Sequence, residues 1–123
     1  MSLVRLERHE NLVTVRLSNG TTNAVSPDLI DELSETLNTV KREFQGMILA
    51  GGKKFFCIGF DLPKLIDLNR AGMSEFFYKV NQTIFELFTL PIPTACAIRA
   101  HAIGAGKTLA LACDYRFKVS LTL

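Results

Sequence analysis

The stretch HAIGAGKTLALACD, residues 101–114, sets the fold of this chain. It follows a short apolar run, residues 94–98, that is typical of a strand buried on both faces. The glycines at positions 104 and 106 interrupt the pattern, and an apolar helix is expected over residues 107–113. A buried strand that leads through a glycine-rich loop into a helix is a building unit of layered α/β domains.

The letters GAGKT in this stretch are similar to the end of a phosphate-binding loop, whose pattern is G-x-x-x-x-G-K-[ST]. Gly106, Lys107 and Thr108 match its last three positions, but His101 stands where the first glycine is needed. The dinucleotide pattern G-x-G-x-x-G fails too, because Leu109 occupies the third glycine position. A P-loop-like nucleotide binder is therefore a remote alternative. The backbone N–H groups of a helix start can equally stabilise a developing oxyanion.

The rest of the chain alternates strands and helices. Polar–apolar alternation predicts strands at residues 3–8 and 12–17, and apolar runs predict strands at 47–50 and 115–119. One helix is expected from Ser26, an N-cap before Pro27, to the region before Gly46. A second is expected at residues 74–90. Its predicted apolar face consists of Phe77, Val80, Ile84, Leu87 and Phe88. The order β-β-α-β-α-β-α-β predicts one α/β domain over residues 1–123.

Composition and charge exclude several classes of protein. The net charge of +2, from 14 basic and 12 acidic residues, argues against nucleic-acid or membrane-surface binding. No apolar run approaches the ~20 residues of a membrane span, and the N-terminus has no signal-peptide core, so a cytoplasmic location is expected. Three cysteines without C-x-x-C spacing predict buried thiols rather than a zinc site or a disulfide framework: Cys57, Cys96 and Cys113.

A second glycine loop, KKFFCIGFDL at residues 53–62, also leaves a buried strand and enters a short helix near Asp61. Two strand-to-helix loops at one edge of a sheet can each offer a backbone N–H to the same oxygen. That is the geometry of an oxyanion hole. Either loop taken alone is equally consistent with a tight connection that binds nothing.

Three segments of the chain resemble the crotonase superfamily, the enoyl-CoA hydratases and isomerases. FCIGFDL at 56–62 is similar to the family's F-S-A-G-x-D-L, and NAVSPDLIDEL at 23–33 is similar to N-A-L-S-x-x-L-x-x-x-L. PIPTACAIRAHAIGAGKTLALACDYRF at 91–117 is similar to P-x-P-T-I-A-A-V-N-G-x-A-x-G-G-G and the C-D-Y-R-like strand behind it. The resemblance implies a crotonase-like spiral of β-β-α units, with only the N-terminal part present in this chain.

The resemblance also implies an acyl-CoA thioester partner, whose thioester oxygen two backbone amides hold as it becomes an enolate. By motif position, the expected donors are the N–H groups of Ile58 and Ala105. The other motif positions are expected to contact the substrate: Phe56, Cys57, Gly59, Asp61, Gly104, Gly106 and Thr108. No metal or separate cofactor is expected, because coenzyme A is part of the substrate. A homotrimer or homohexamer is implied by the family.

Thr108 stands where the family's hydratases carry a glutamate. A threonine hydroxyl cannot replace a carboxylate as general base at neutral pH. The resemblance therefore favours a Δ3-Δ2-enoyl-CoA isomerase type, whose proton-carrying carboxylate lies further along than residue 123. The 123 residues alone are expected to oligomerise, to bind acyl-CoA weakly and to be inactive. A non-catalytic acyl-CoA-binding or interaction module is the alternative.

Because His101 replaces the leading glycine, we expect ATP and GTP not to bind. Titration calorimetry with MgATP should give no heat of binding, and Lys107→Ala should leave that result unchanged. Micromolar, magnesium-dependent binding that Lys107→Ala abolishes would restore the phosphate-loop interpretation.

Overall fold

The structure is a computed structural model and describes residues 2–118. Five strands form the main sheet in the order β1-β2-β3-β5-β7, in which β1 and β2 are antiparallel and the other pairs are parallel. Their bounds are β1 Val4–His9, β2 Leu12–Leu17, β3 Gly46–Ala50, β5 Thr94–Ile98 and β7 Tyr115–Lys118. A small second sheet pairs β4 Phe55–Cys57 with β6 His101–Ala102. The helices are α1 Pro27–Glu43, α2 Leu62–Leu65, α3 Arg70–Phe88 and α4 Ala105–Ala112.

The start of α1 follows the predicted chemistry. Ser26 is the N-cap, and its hydroxyl accepts a hydrogen bond from the amide of Leu29 at 3.2 Å. Leu29, Leu33 and Leu37 then recur at helical spacing and are fully buried. This stripe forms one wall of the core, because it packs with the buried side chains of β2 and β3.

The predicted apolar face of the second long helix is partly wrong. The buried residues of α3 are Phe76, Val80, Thr83 and Leu87. Phe77 and Phe88, which the prediction placed in the core, are 41% and 67% exposed. The error arises because phenylalanines occupy both sides of this helix, so hydrophobicity alone does not identify its inner face. The helix also begins four residues earlier than predicted, where Asn69 accepts a hydrogen bond from the amide of Gly72 at 2.8 Å.

A reciprocal pair of hydrogen bonds ties β7 to the start of β5. The amide of Thr94 donates to Asp114 Oδ2, and the amide of Asp114 donates to Thr94 Oγ1, both at 2.9 Å. Asp114 therefore anchors the last described strand, as a structural residue. Residue 119, which the prediction placed in that strand, lies outside the described residues.

Glu32 on α1 clamps the start of β1. One of its oxygens accepts hydrogen bonds from the hydroxyl of Ser2 at 2.5 Å and from the amides of Leu3 and Val4 at 2.8 and 2.9 Å. Burial alone would raise the pKa of this carboxyl, but the hydrogen bonds outweigh burial and hold the pKa below its ordinary value of 4.5. The ionised form of Glu32 therefore stabilises the folded chain.

We expect Glu32→Gln to lower the free energy of unfolding at pH 7 by about 1 kcal/mol, the size of a hydrogen-bond loss at a partly exposed site. Since the folded-state pKa lies below the unfolded one, this stabilisation is present above the ordinary value of 4.5 and disappears as the pH falls through the folded-state pKa. Urea unfolding at neutral and acid pH measures the difference. Glu35→Gln, at an exposed position of the same helix, is the control, and an equal loss in both variants would contradict the clamp.

Candidate active site

Two glycine loops meet where the strands of the small sheet end. The first carries Gly59, with φ +106, and the second carries Gly104, with φ +56. A β-carbon on Gly59 would lie 3.1 Å from the carbonyl oxygen of Ile103 and 3.6 Å from the amide nitrogen of Ala105. The loops are therefore in backbone contact, and the positive φ values explain why glycine occupies both positions.

The small sheet brings the loops together. Phe55 pairs with His101 and Cys57 with Ala102, in parallel register. The amide of Ile103 then donates to the carbonyl of Cys57 at 3.0 Å. These strands were missed in the sequence because runs of two and three residues are too short to show a period. The predicted meeting of the two loops at one edge is found.

Ile58, the expected first donor, has its N–H engaged. It donates to the carbonyl of Thr22 at 3.0 Å. Two residues on, the N–H of Phe60 donates no hydrogen bond to any residue of the described chain. The resemblance to the family did not identify Phe60 as a candidate donor, because the F-S-A-G-x-D-L motif allows any residue at this position.

The orientation of the Phe60 N–H is set from the other end of its peptide unit. The carbonyl of Gly59 accepts a hydrogen bond from the amide of Val25 at 2.7 Å. In a trans peptide the N–H points away from the C=O. The N–H of Phe60 is therefore directed away from Val25.

The second loop repeats this arrangement. Within residues 2–118 the N–H of Ala105 also donates no hydrogen bond, as expected at the first position of α4. The carbonyl of Gly104, in the same peptide unit, accepts from the amide of Thr108 at 3.2 Å and from its hydroxyl at 3.4 Å. Thr108 thus fixes the peptide that carries the Ala105 N–H.

The other predicted substrate contacts differ in exposure. Phe56, Cys57, Gly59 and Gly106 are buried, whereas Gly104 and Thr108 are exposed. Burial also raises the pKa of the Cys57 thiol and makes it a poor nucleophile. Asp61 is the N-cap of α2, and its side chain accepts a hydrogen bond from the amide of Lys64 at 3.4 Å. Asp61 is also the sole carboxylate in segments 56–62 and 101–108.

Asn23 is a buried residue whose side chain holds the backbone next to the site, and it was not among the predicted site residues. It is 1% exposed and has φ +52. Its Nδ2 donates to the carbonyl of Phe56 at 3.1 Å, and its Oδ1 accepts from the amide of Asn19 at 2.7 Å. Asn23 thereby ties the turn after β2 to β4. The one signal in the sequence was its place at the head of the N-A-V-S segment.

Comparison with known proteins now identifies the class. A family model described as Enoyl-CoA hydratase/isomerase matches residues 7–119. The chain belongs to this family, and the predicted crotonase-like α/β fold is confirmed. The chain is 28% identical to an enoyl-CoA hydratase from Bacillus anthracis of known structure, with a TM-score of 0.89 over 95% of this chain and 47% of that one.

Curated relatives carry both hydratase and isomerase names. The chain is 31% identical over 114 residues to the peroxisomal enoyl-CoA delta isomerase 1 of Arabidopsis thaliana, covering 89% of this chain and 47% of that protein. It is 33% identical over 101 residues to the mitochondrial methylglutaconyl-CoA hydratase of Mus musculus, covering 80% of this chain and 32% of that protein. The chain thus spans less than half the length of these relatives.

The helices and polar side chains of residues 2–118 bear on membrane and metal binding. None of the helices there is long and apolar enough to cross a membrane. No group of three or more His, Cys, Asp or Glu side chains in that part of the chain is arranged to hold a metal ion. The cytoplasmic location stays a prediction, since the two relatives named above are described as peroxisomal and mitochondrial.

We expect Gly106→Ala to disturb the contact between α4 and β4. A β-carbon at position 106 would lie 2.8 Å from both the carbonyl carbon and the Cβ of Cys57, so the helix start would have to move. Thermal unfolding should show a free energy of unfolding that is lower by about 1–3 kcal/mol, the usual cost of overpacking. Gly72→Ala in α3 is the control, because its nearest contact is a side-chain oxygen at 3.3 Å. A Gly106→Ala protein as stable as that control would show that the contact tolerates a methyl group.

Proposed function

We propose that the chain stabilises the enolate of an acyl-CoA thioester between the N–H groups of Phe60 and Ala105. The observation that carries this proposal is the pair of peptide units at the contact of the two glycine loops. In each unit the C=O is hydrogen-bonded within the fold and the N–H donates to no described residue. Such fixed donors suit a charge that develops during reaction, because they need no reorganisation.

The first donor in this proposal is Phe60 rather than Ile58. The Ile58 N–H could serve a ligand only if its 3.0 Å bond to Thr22 were broken or shared. Phe60 follows Gly59 just as Ala105 follows Gly104, so the two donors occupy equivalent places in their loops. Ala105 is also the first residue of α4, where the helix dipole adds to the stabilisation of negative charge.

We propose a Δ3-Δ2-enoyl-CoA isomerase type of reaction rather than hydration. Removal of a C2 proton gives a dienolate, the two amides hold its oxygen, and return of the proton at C4 completes the shift. Thr108 supports this choice, because its hydroxyl binds the Gly104 carbonyl and has no acidic proton to exchange at neutral pH. The proton carrier is not among the residues of the two loops. Assembly as a trimer or hexamer remains part of the proposal.

A non-catalytic acyl-CoA-binding module is the second candidate. The observation that favours it is the single carboxylate of the two loops, Asp61, which caps α2. Binding of acyl-CoA without exchange of its α-protons would support this module over the enzyme.

In a full-length context, we expect Ala105→Pro to lower turnover of a 3-enoyl-CoA by roughly 10²–10³, the usual loss on removing one oxyanion donor. Proline deletes the N–H but is tolerated at the first position of a helix. Ala105→Gly keeps the N–H and should retain most activity. In calorimetry the proline variant should also lose any preference for a thioester over the matching carbonyl-free thioether. Equal losses in both variants would mean that the side chain matters and the amide does not.

A further inference from the structure

The side chain of Phe60 belongs to an aromatic cluster formed with two neighbouring rings of α3, Phe76 and Phe77. Phe60 meets Phe77 edge to face, with ring centroids 5.3 Å apart and planes at 80°. It meets Phe76 at 5.7 Å and 69°, and the two α3 rings meet each other at 5.6 Å and 65°. Each ring of the cluster thus contacts both others in a favourable geometry.

The backbone hydrogen bonds that hold the segment around Phe60 come from one partner, Val25. The bond from Val25 holds the Gly59 carbonyl, and the amide of Asp61 donates to the Val25 carbonyl at 2.9 Å. Both contacts lie on one side of the segment. Gly59, with φ +106 and no β-carbon, adds no side-chain contact of its own next to that peptide unit. The Phe60 ring, packed against α3, connects the segment to the fold on a second side.

The two α3 rings differ in what else they do. Phe76 is 4% exposed and is part of the hydrophobic core. Phe77 is 41% exposed and meets the rings of Phe60 and Phe76. Phe77 can therefore be changed at small cost to the core, whereas Phe76 cannot.

We propose that Phe77, packed against Phe60, is a positioning residue that, together with the Val25 bond to the Gly59 carbonyl, fixes the direction of the Phe60 N–H. This inference rests on the proposed function for its catalytic meaning. Its physical content, the ordering of the Phe60 peptide by the Phe77 ring, is independent of any ligand. Phe77 acts through Phe60 and not on the substrate.

The first test uses no ligand. Heteronuclear NOE values of ¹⁵N-labelled protein report the order of each amide, and Phe77→Ala should lower the value at Phe60 while leaving Ala105 unchanged. Phe77→Tyr keeps the ring and should therefore keep the wild-type NOE value at Phe60. Phe88→Ala, at a 67% exposed position of the same helix, is the control for loss of a surface ring. An unchanged Phe60 value in a folded Phe77→Ala protein would overturn the inference.

The second test connects the ring to the hydrogen bond. In wild type, butyryl-CoA should move the Phe60 and Ala105 amide protons downfield, and butyl-CoA thioether, which lacks the carbonyl, should not. In Phe77→Ala the response of Phe60 should be lost while that of Ala105 remains, and in Phe77→Tyr both should be present. A full Phe60 response in Phe77→Ala would also overturn the inference. If neither amide responds in wild type, the proposed function fails, and the ligand-free test still decides the role of the ring.

Discussion

The backbone contact between Gly59 and the Ile103–Ala105 segment is the constraint on which the candidate site depends. It brings the two glycine loops together, and a β-carbon at position 59 would lie 3.1 Å from the Ile103 carbonyl oxygen. The pairing of β4 with β6 sets this distance, and burial of Gly106 against Cys57 keeps α4 close to the small sheet. Much of the surrounding fold serves the contact: Asn23 braces β4, and the Thr94–Asp114 pair anchors the strand that leads to the second loop.

The contact matters chemically because a peptide unit has two ends. A fold that needs an N–H to point outward can hold the C=O of the same unit, and both loops do so. Val25 holds one carbonyl through a backbone amide, and Thr108 holds the other through its amide and hydroxyl. These hydrogen bonds to the two carbonyls keep the N–H groups oriented without any contact on the side where a ligand oxygen would lie. This is preorganisation in the sense that matters for a developing charge.

The sequence predicted those elements of the fold that show a hydrophobic period or a turn motif. The stripe of α1 with its Ser26 cap, the five strands of the main sheet and the two glycine loops all follow from local patterns. Strands β4 and β6 could not be predicted, because their pairing is long-range and their lengths show no alternation. The inner face of α3 was misassigned because phenylalanine rings lie on both the buried and the exposed face of this helix. The donor at Phe60 was missed because hydrogen-bond occupancy is a tertiary property: only the structure shows that Thr22 engages Ile58.

A site made from backbone amides also explains how side chains can vary around a constant core. Ile58 stands where the family's motif usually has alanine, and its 36% exposed side chain leaves the neighbouring Phe60 N–H in place. Thr108 replaces a hydratase glutamate and still supports the Gly104 carbonyl. In the proposed function, the enolate-holding step places little demand on side-chain identity, whereas the proton-transfer step depends on it entirely. The two relatives named above, of similar identity to this chain, carry an isomerase name and a hydratase name, so identity over this part of the chain does not by itself select between the two reactions.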